Sequence, residues 1–355
     1  MTDHESRRNA LDAIHLKPVA RRPHTAYSIE MHTDLVRRTA GAPPGANPWD
    51  PAVRRKFLEA WGINFLWSVN DGLVNWSQQG RVTDMGHAEY DEGGKDRRDT
   101  IVCPFQDPEE VWAFDPLKEY GLPGFAEQVA AYRKSADDAR AAFPAQLTTG
   151  GYYKTVVSGA IQAFGWDMLL TAAADPERFA RVLERFGDYS AFYAKAWTET
   201  DIEVYIQHDD MVWTSGPFMS PDFYRRVIFP IYKRLWVPLK AAGKKILFCS
   251  DGTFDMFMDD LLACGADGFV FEPSNPWTPI VKRFGGRCCL VGSAVDCVTL
   301  TFGDWPAVQA QIDETFAAIR GIPGIILAVG NHMPPNIPDA TCERYLAALK
   351  TRWNG

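Results

Sequence analysis

Five short apolar runs in the second half of the sequence each end in side chains able to hold a proton or a metal ion. They are VYIQHDD at 204–210, KILFCSDG at 245–252, GFVFE at 268–272, CLVGSAVD at 289–296 and IILAVGNH at 325–332. In an extended strand, residues two apart face the same side. His208 and Asp210 therefore project together, and so do Cys249 and Asp251. Glu272, Asp296, Asn331 and His332 stand at the ends of the other three runs. Histidine, cysteine and carboxylates form the ligand set for zinc. The same groups act as general acids and bases when their surroundings shift their pKa values. His208, Asp210, Asp251 and His332 are the catalytic candidates, and Cys249, Asp251 and His332 the candidate zinc ligands. Asp84, Tyr153, Glu272 and Asn331 are the candidate substrate contacts. Taken singly, each has a plainer reading: His208 as a satisfied core histidine, Cys249 as a small buried hydrophobe, Asp251-Gly252 as a turn, Asp296 as a loop anchor. The functional reading rests on their coincidence at strand ends.

The elements that must position these groups are legible from periodicity. The apolar runs are too short for helices and alternate with segments of helical period, including 176–200, 221–241, 254–264, 276–284, 305–320 and 339–351. Earlier strands are expected at 24–31, 64–69 and 146–151, giving roughly eight strand–helix units. Parallel strands separated by helices, with polar residues gathered at the strand C-termini, predict a (β/α)8 TIM-type barrel with its site on the C-terminal face. The chain is read as one such barrel domain over 1–355. Residues 1–22 read as a helical extension. Residues 72–104 alternate polar and apolar and contain Gly80, Gly86, Gly93 and Gly94, which predicts a β-hairpin insertion carrying Arg81, Asp84 and His87 to the mouth. Asp107-Pro108 and Ser220-Pro221 read as helix starts, a capping side chain followed by proline in the first turn.

Composition bounds the function. A net charge of −8 leaves no basic surplus for phosphate neutralisation and argues against nucleic-acid binding. No apolar run reaches the length of a membrane helix, about 18 residues, and the charged N-terminus shows no secretory signal. The seven cysteines are odd in number and contain no CxxC pair, which fits reduced thiols in a cytoplasmic compartment. Twelve tryptophans allow either core packing or an aromatic-lined pocket.

Several of these segments together resemble the uroporphyrinogen decarboxylase superfamily, which includes the methylcobalamin:thiol methyltransferases. The resemblance runs through Asp209-Asp210, the GPFMSP stretch at 216–221, Phe229-Pro230, Cys249 with Asp251-Gly252, Gly292 with Asp296, and GNHMPPNIP at 330–338. It is carried chiefly by residues 200–350. The resemblance implies a TIM-type barrel. It also locates two departures. Where the decarboxylases carry an arginine-rich segment for substrate carboxylates, this chain has SIEMHTDL at 28–35, with Arg37-Arg38 nearby. Where the thiol methyltransferases bind zinc through a His-x-Cys pair and a later cysteine, this chain has Cys249, Asp251 and Asn331, the last beside His332. Three functions follow as expectations. The first is a corrinoid-linked methyltransferase acting on a small methoxy, methylamine or methylthio compound, with the corrinoid on a separate protein. The second is a decarboxylase or other lyase, for which Lys154 or Arg81 would have to hold the carboxylate. The third is a non-catalytic corrinoid or tetrapyrrole carrier. Zinc is the metal implied, and a homodimer is left open.

Overall fold

In a computed structural model, which describes residues 2–83, 102–330 and 332–353, parallel strands wind into a closed barrel. They are β1 (Phe65–Leu66), β2 (Leu147–Thr148), β3 (Gly150–Tyr152), β4 (Val204–His208), β5 (Lys245–Cys249), β6 (Gly268–Val270), β7 (Cys289–Val291) and β8 (Ile325–Ile326). β1 pairs with β2, and β3 to β8 pair in sequence order, all parallel. Only Thr149 separates β2 from β3, so 147–152 form one stave. The remaining stave is the segment around His24. Leu327 N–H donates to Pro23 O at 2.8 Å, Thr25 N–H donates to Leu327 O at 2.9 Å, and Asn64 N–H donates to His24 O at 3.0 Å. That segment therefore bridges β8 and β1 and closes an eight-staved TIM-type barrel.

The alternation read from sequence sorts the side chains into two layers. Val204, Ile206, Leu247, Cys249, Val270, Cys289, Val291 and Ile326 fill the barrel interior with Phe65, Trp67 and Leu147. Tyr205, Phe248, Phe269, Leu290 and Ile325 face the surrounding helices. The polar outward residue Gln207 accepts at its Oε1 from Trp236 Nε1–H at 2.6 Å. The lower end of the barrel is stoppered. The N-terminal helix Asp3–Ile14, started by a Thr2/Glu5 capping box, adds Ala10, Ala13 and Ile14 to the interior cluster.

The outer helices begin where capping chemistry dictates. Asp50, Asp107, Asp115, Asp175 and Ser220 each cap a helix whose first turn carries proline. This pairing satisfies an orphan N–H and supplies a preset φ. Pro230 follows a π-type turn at Tyr224–Ile228, consistent with its missing N–H donor.

One expectation changes. The strand read at 24–31 is much shorter, because Ile29–Met31 turn into a 3-10 helix. Of the hairpin expected at 72–104, residues 84–101 lie outside the described residues, and the regular element among the others is a one-turn helix, Trp76–Gln79, capped by Asn75. Trp76 packs face to face on Tyr120, centroids 4.2 Å apart. Among the described residues, no helix is long and apolar enough to cross a membrane. All seven cysteines carry free thiols, as the spacing suggested.

Candidate active site

The ends of β4 and β5 bring the polar groups together. Residues 208 and 249 are register partners in these strands. The interior parity continues upward from Val204 and Ile206 to His208 and then Asp210. His208 Nε2 lies 3.1 Å from Asp210 Oδ1. Asp210 Oδ2 accepts from Tyr153 OH at 3.0 Å, and its Oδ1 also accepts from Asp251 N–H at 2.9 Å. The Tyr153 ring stands edge-on to the imidazole at 4.8 Å, and Trp67 lies on another side at 5.9 Å. His208 is 5% exposed, whereas Asp251 opens to solvent.

Burial and charge oppose each other here. Burial alone drives the imidazole toward its neutral form, but Cys249 and the Asp210 carboxylate outweigh it and hold the His208 pKa well above the ordinary value. Burial likewise disfavours the Asp210 carboxylate. The neighbouring His208 charge and three hydrogen bonds reverse this and bring it down to about 2. Burial raises the pKa of the Cys249 thiol, the register partner of His208. Burial and then the Asp210 charge raise that of Tyr153.

Asp209 points the opposite way and builds the scaffold. Its carboxylate accepts from the N–H groups of Val157 at 2.9 Å and Ser158 at 2.6 Å, from Val156 at 3.3 Å, and from Tyr232 OH at 2.7 Å. It thereby pins the start of the helix Val157–Ala173. Ser158 Oγ, placed by that anchor, accepts from Asp210 N–H at 2.7 Å. Thr155 Oγ1–H donates to His208 O at 3.2 Å. Sequence reasoning named Asp209 only as part of a motif and missed Ser158 and Tyr232. The available signal was the strand parity, which places Asp209 on the outer face.

The remaining candidates sort as follows. Glu272 Oε2 accepts from Gly252 N–H at 2.7 Å, and Asn275 Nδ2–H donates to Gly252 O at 2.8 Å, so both hold the Asp251-Gly252 turn. Asp296 is the N-cap of the short helix Cys297–Phe302 and belongs to the scaffold. His332 Nδ1 sits 2.8 Å from Ser28 Oγ, and burial brings its pKa down to about 4. Its ring neighbours Tyr27, which stacks on Trp67, the residue beside His208. Among the described contacts, two aromatic rings, Tyr27 and Trp67, stand between His332 and His208. Arg81 is turned away, its guanidinium paired with Glu119 and lying over Phe105. Asp84, His87 and Asn331 lie outside the described residues.

The expected zinc set of Cys249, Asp251 and His332 is not assembled. Cys249 is fully buried among the interior residues of β4 to β7, and His332 is held by Ser28. The group that does converge among the described residues is His208, Asp210 and Asp251, whose nearest ligand atoms all lie within 4.8 Å of one another.

Residues 155–352 match the uroporphyrinogen decarboxylase (URO-D) family. The chain belongs to this family. Among curated relatives, the uroporphyrinogen decarboxylase of Salinispora tropica is 22% identical over 175 residues, 49% of this chain and 45% of that protein. That of Streptomyces griseus is 24% identical over 167 residues, 47% of this chain and 44% of that protein. The matched region spans just under half the length of these relatives. Among solved structures, a methyltransferase from Methanosarcina mazei superposes with a TM-score of 0.63 over 98% of both chains at 19% identity. That likeness is one of fold and covers the N-terminal half as well, where the sequence resemblance is weak.

Proposed function

We propose that this URO-D family member is an enzyme whose barrel mouth moves a methyl group between a small methylated compound and a corrinoid carried on a separate protein. The methylated compound is of the methoxy, methylamine or methylthio type. The observation that carries the reading is the charge balance at the strand ends. Among the described residues, Asp210, Asp251 and Glu272 gather there, and four cations of the N-terminal half are each tied to a carboxylate. Lys154 Nζ lies 3.6 Å from Asp71 and over the Trp76 ring. Arg54 pairs with Glu30 at 2.8 Å, Arg37 with Asp34 at 2.8 Å, and Arg38 with Asp339 and Glu343. These described groups favour a neutral or cationic donor over a polycarboxylate.

The corrinoid's part is to take up the methyl group. The heteroatom left behind keeps the electron pair of the broken bond and gains negative charge. Positive charge held between His208 and Asp210 is placed to meet it. Tyr153 fixes one Asp210 oxygen, and the Asp251 N–H fixes the other, so the carboxylate does not reorient as charge develops. Tyr27, Trp67 and Tyr153 supply apolar walls around the imidazole.

The test is incubation of the protein with free, reduced cobalamin and a panel of methoxy, methylamine and methylthio compounds, following the methyl-cobalt absorbance. Turnover of one class, lowered by about 10²-fold or more in His208→Gln, supports the reading. A second reading, decarboxylation of a small carboxylate, draws on the same buried imidazole and Tyr153, which could protonate the carbanion left by departing carbon dioxide. Carbon dioxide release without methyl transfer would select it. Corrinoid binding without turnover of either kind would leave a carrier.

A further inference from the structure

We propose that His208, Asp210 and Asp251 form a divalent-cation site built from one imidazole and two carboxylates. The inference rests on the reading of this cluster as the reacting centre and names what supplies its positive charge. It differs from the thiol-methyltransferase pattern, in which cysteine sulfurs at the end of β5 and in the last loop carry the metal.

The geometry is that of a preassembled chelate. Metal–nitrogen and metal–oxygen bonds run about 2.0–2.2 Å, so ligand atoms around one ion stand roughly 3.3–4.4 Å apart. The three ligand atoms here already lie within 4.8 Å of one another, and Nε2 and Oδ1 of the first two are 3.1 Å apart. A cation entering between them requires displacements of only about an ångström. The register of β4 and β5 enforces the arrangement, since the pairing of 208 with 249 carries 210 beside 251. The Asp251 N–H bond to Asp210 locks that pairing beyond the strands.

The outer contacts are those that orient metal ligands. Tyr153 OH holds the Asp210 oxygen opposite the cluster, and Ser158 Oγ holds the Asp210 backbone. Cys249 is the register partner of His208 on β5 and fully buried in the interior layer, outside the converging group of ligand atoms. Trp67 and Tyr153 wall the ring, which limits its rotation. Three protein donors leave open positions for a substrate heteroatom, as catalytic sites do. A nitrogen and carboxylate set selects zinc, cobalt, iron or manganese in the divalent state and not soft monovalent copper.

Cobalt(II) reads both binding and ligand type without any turnover. Titration of the metal-free full chain should show one saturable ion per chain with visible d–d bands and no near-ultraviolet thiolate-to-cobalt charge transfer. Cys249→Ser should leave stoichiometry and spectrum in place. Asp251→Asn, at an exposed position and checked for folding by a thermal melt, should weaken cobalt binding at least about tenfold. His208→Gln should abolish the bands while a thermal melt confirms folding. A charge-transfer band that vanishes in Cys249→Ser would overturn the proposal in favour of a thiolate centre. Absence of saturable uptake, or uptake unchanged in Asp251→Asn, would also overturn it. Methyl transfer could persist in that event with a proton on His208, so failure here is separable from failure of the functional reading.

Discussion

Two adjacent carboxylates do opposite work, and strand parity is the reason. Asp210 continues the interior face and meets His208, while Asp209 faces the helices and anchors three backbone N–H groups and the Tyr232 hydroxyl. All four Asp209 partners are donors, so an amide in its place would aim its own N–H groups at some of them. Asp209→Asn should therefore cost about 3 kcal/mol or more of stability, read as a lower urea midpoint. Asp210→Asn should leave most of that stability and instead remove activity, because it releases His208 and Tyr153. An equal loss of stability in the two variants would show that both carboxylates are scaffold. The pairing of His208 with Asp210 and of Cys249 with Asp251 was legible in the sequence because spacing alone sets parity. Which of these groups converge was not. That depends on β4 and β5 being neighbours and on where Cys249 sits relative to the barrel's interior layer, and spacing within one strand encodes neither. The contribution of Tyr153, Ser158 and Tyr232 comes from contacts across staves and helices, which leave no local pattern.

At the level of elements, the short apolar runs announced their strands because a buried parallel strand has no polar face to display. Helix starts were equally plain where Asp or Ser precedes proline. Within 72–83 the chain forms one helical turn, Trp76–Gln79, whose Trp76 stacks on Tyr120, a partner distant in sequence that local spacing does not reveal. The turn after β5 shows how an element end serves the site. Gly252 has φ +77°, and a Cβ there would meet Trp213 O at 2.4 Å. No other residue type fits without moving the 210–216 loop. Gly252→Ala should cost on the order of 2–3 kcal/mol. It should also weaken any ligand that depends on Asp251, since Glu272 and Asn275 grip this turn through the Gly252 backbone. Calorimetric melting with a binding titration reads both effects, and a melt within a degree of the parent would show that the loop adapts.

For the whole molecule, the barrel is a closed wall stoppered below and open above, and both ends depend on the N-terminal segment. Ile14 fills the lower interior with 1% exposure, so Ile14→Ala should cost about 2–4 kcal/mol, read by denaturant unfolding, although it lies far from the mouth. The closing stave carries His24, fully buried with its ring between Tyr345 and Trp353 at 6.5 and 6.2 Å. Burial is the chief cause that brings its pKa from 6.5 down to about 3. The folded state therefore holds this ring neutral at pH values where the unfolded chain binds a proton. That stabilisation is complete above pH 6.5 and is lost as the pH falls from 6.5 toward 3, amounting to about 5 kcal/mol over the full window. Carboxylates begin to titrate in the lower part of that window, and His208, with its raised pKa, slopes the opposite way. The useful comparison is therefore between the parent and His24→Gln from pH 7.5 to 5. Over that range the parent should lose about 2 kcal/mol more than the variant in urea unfolding. Parallel pH profiles for the two proteins would mean that the closing stave opens easily enough for His24 to take up its proton, and that the barrel is not sealed at this seam.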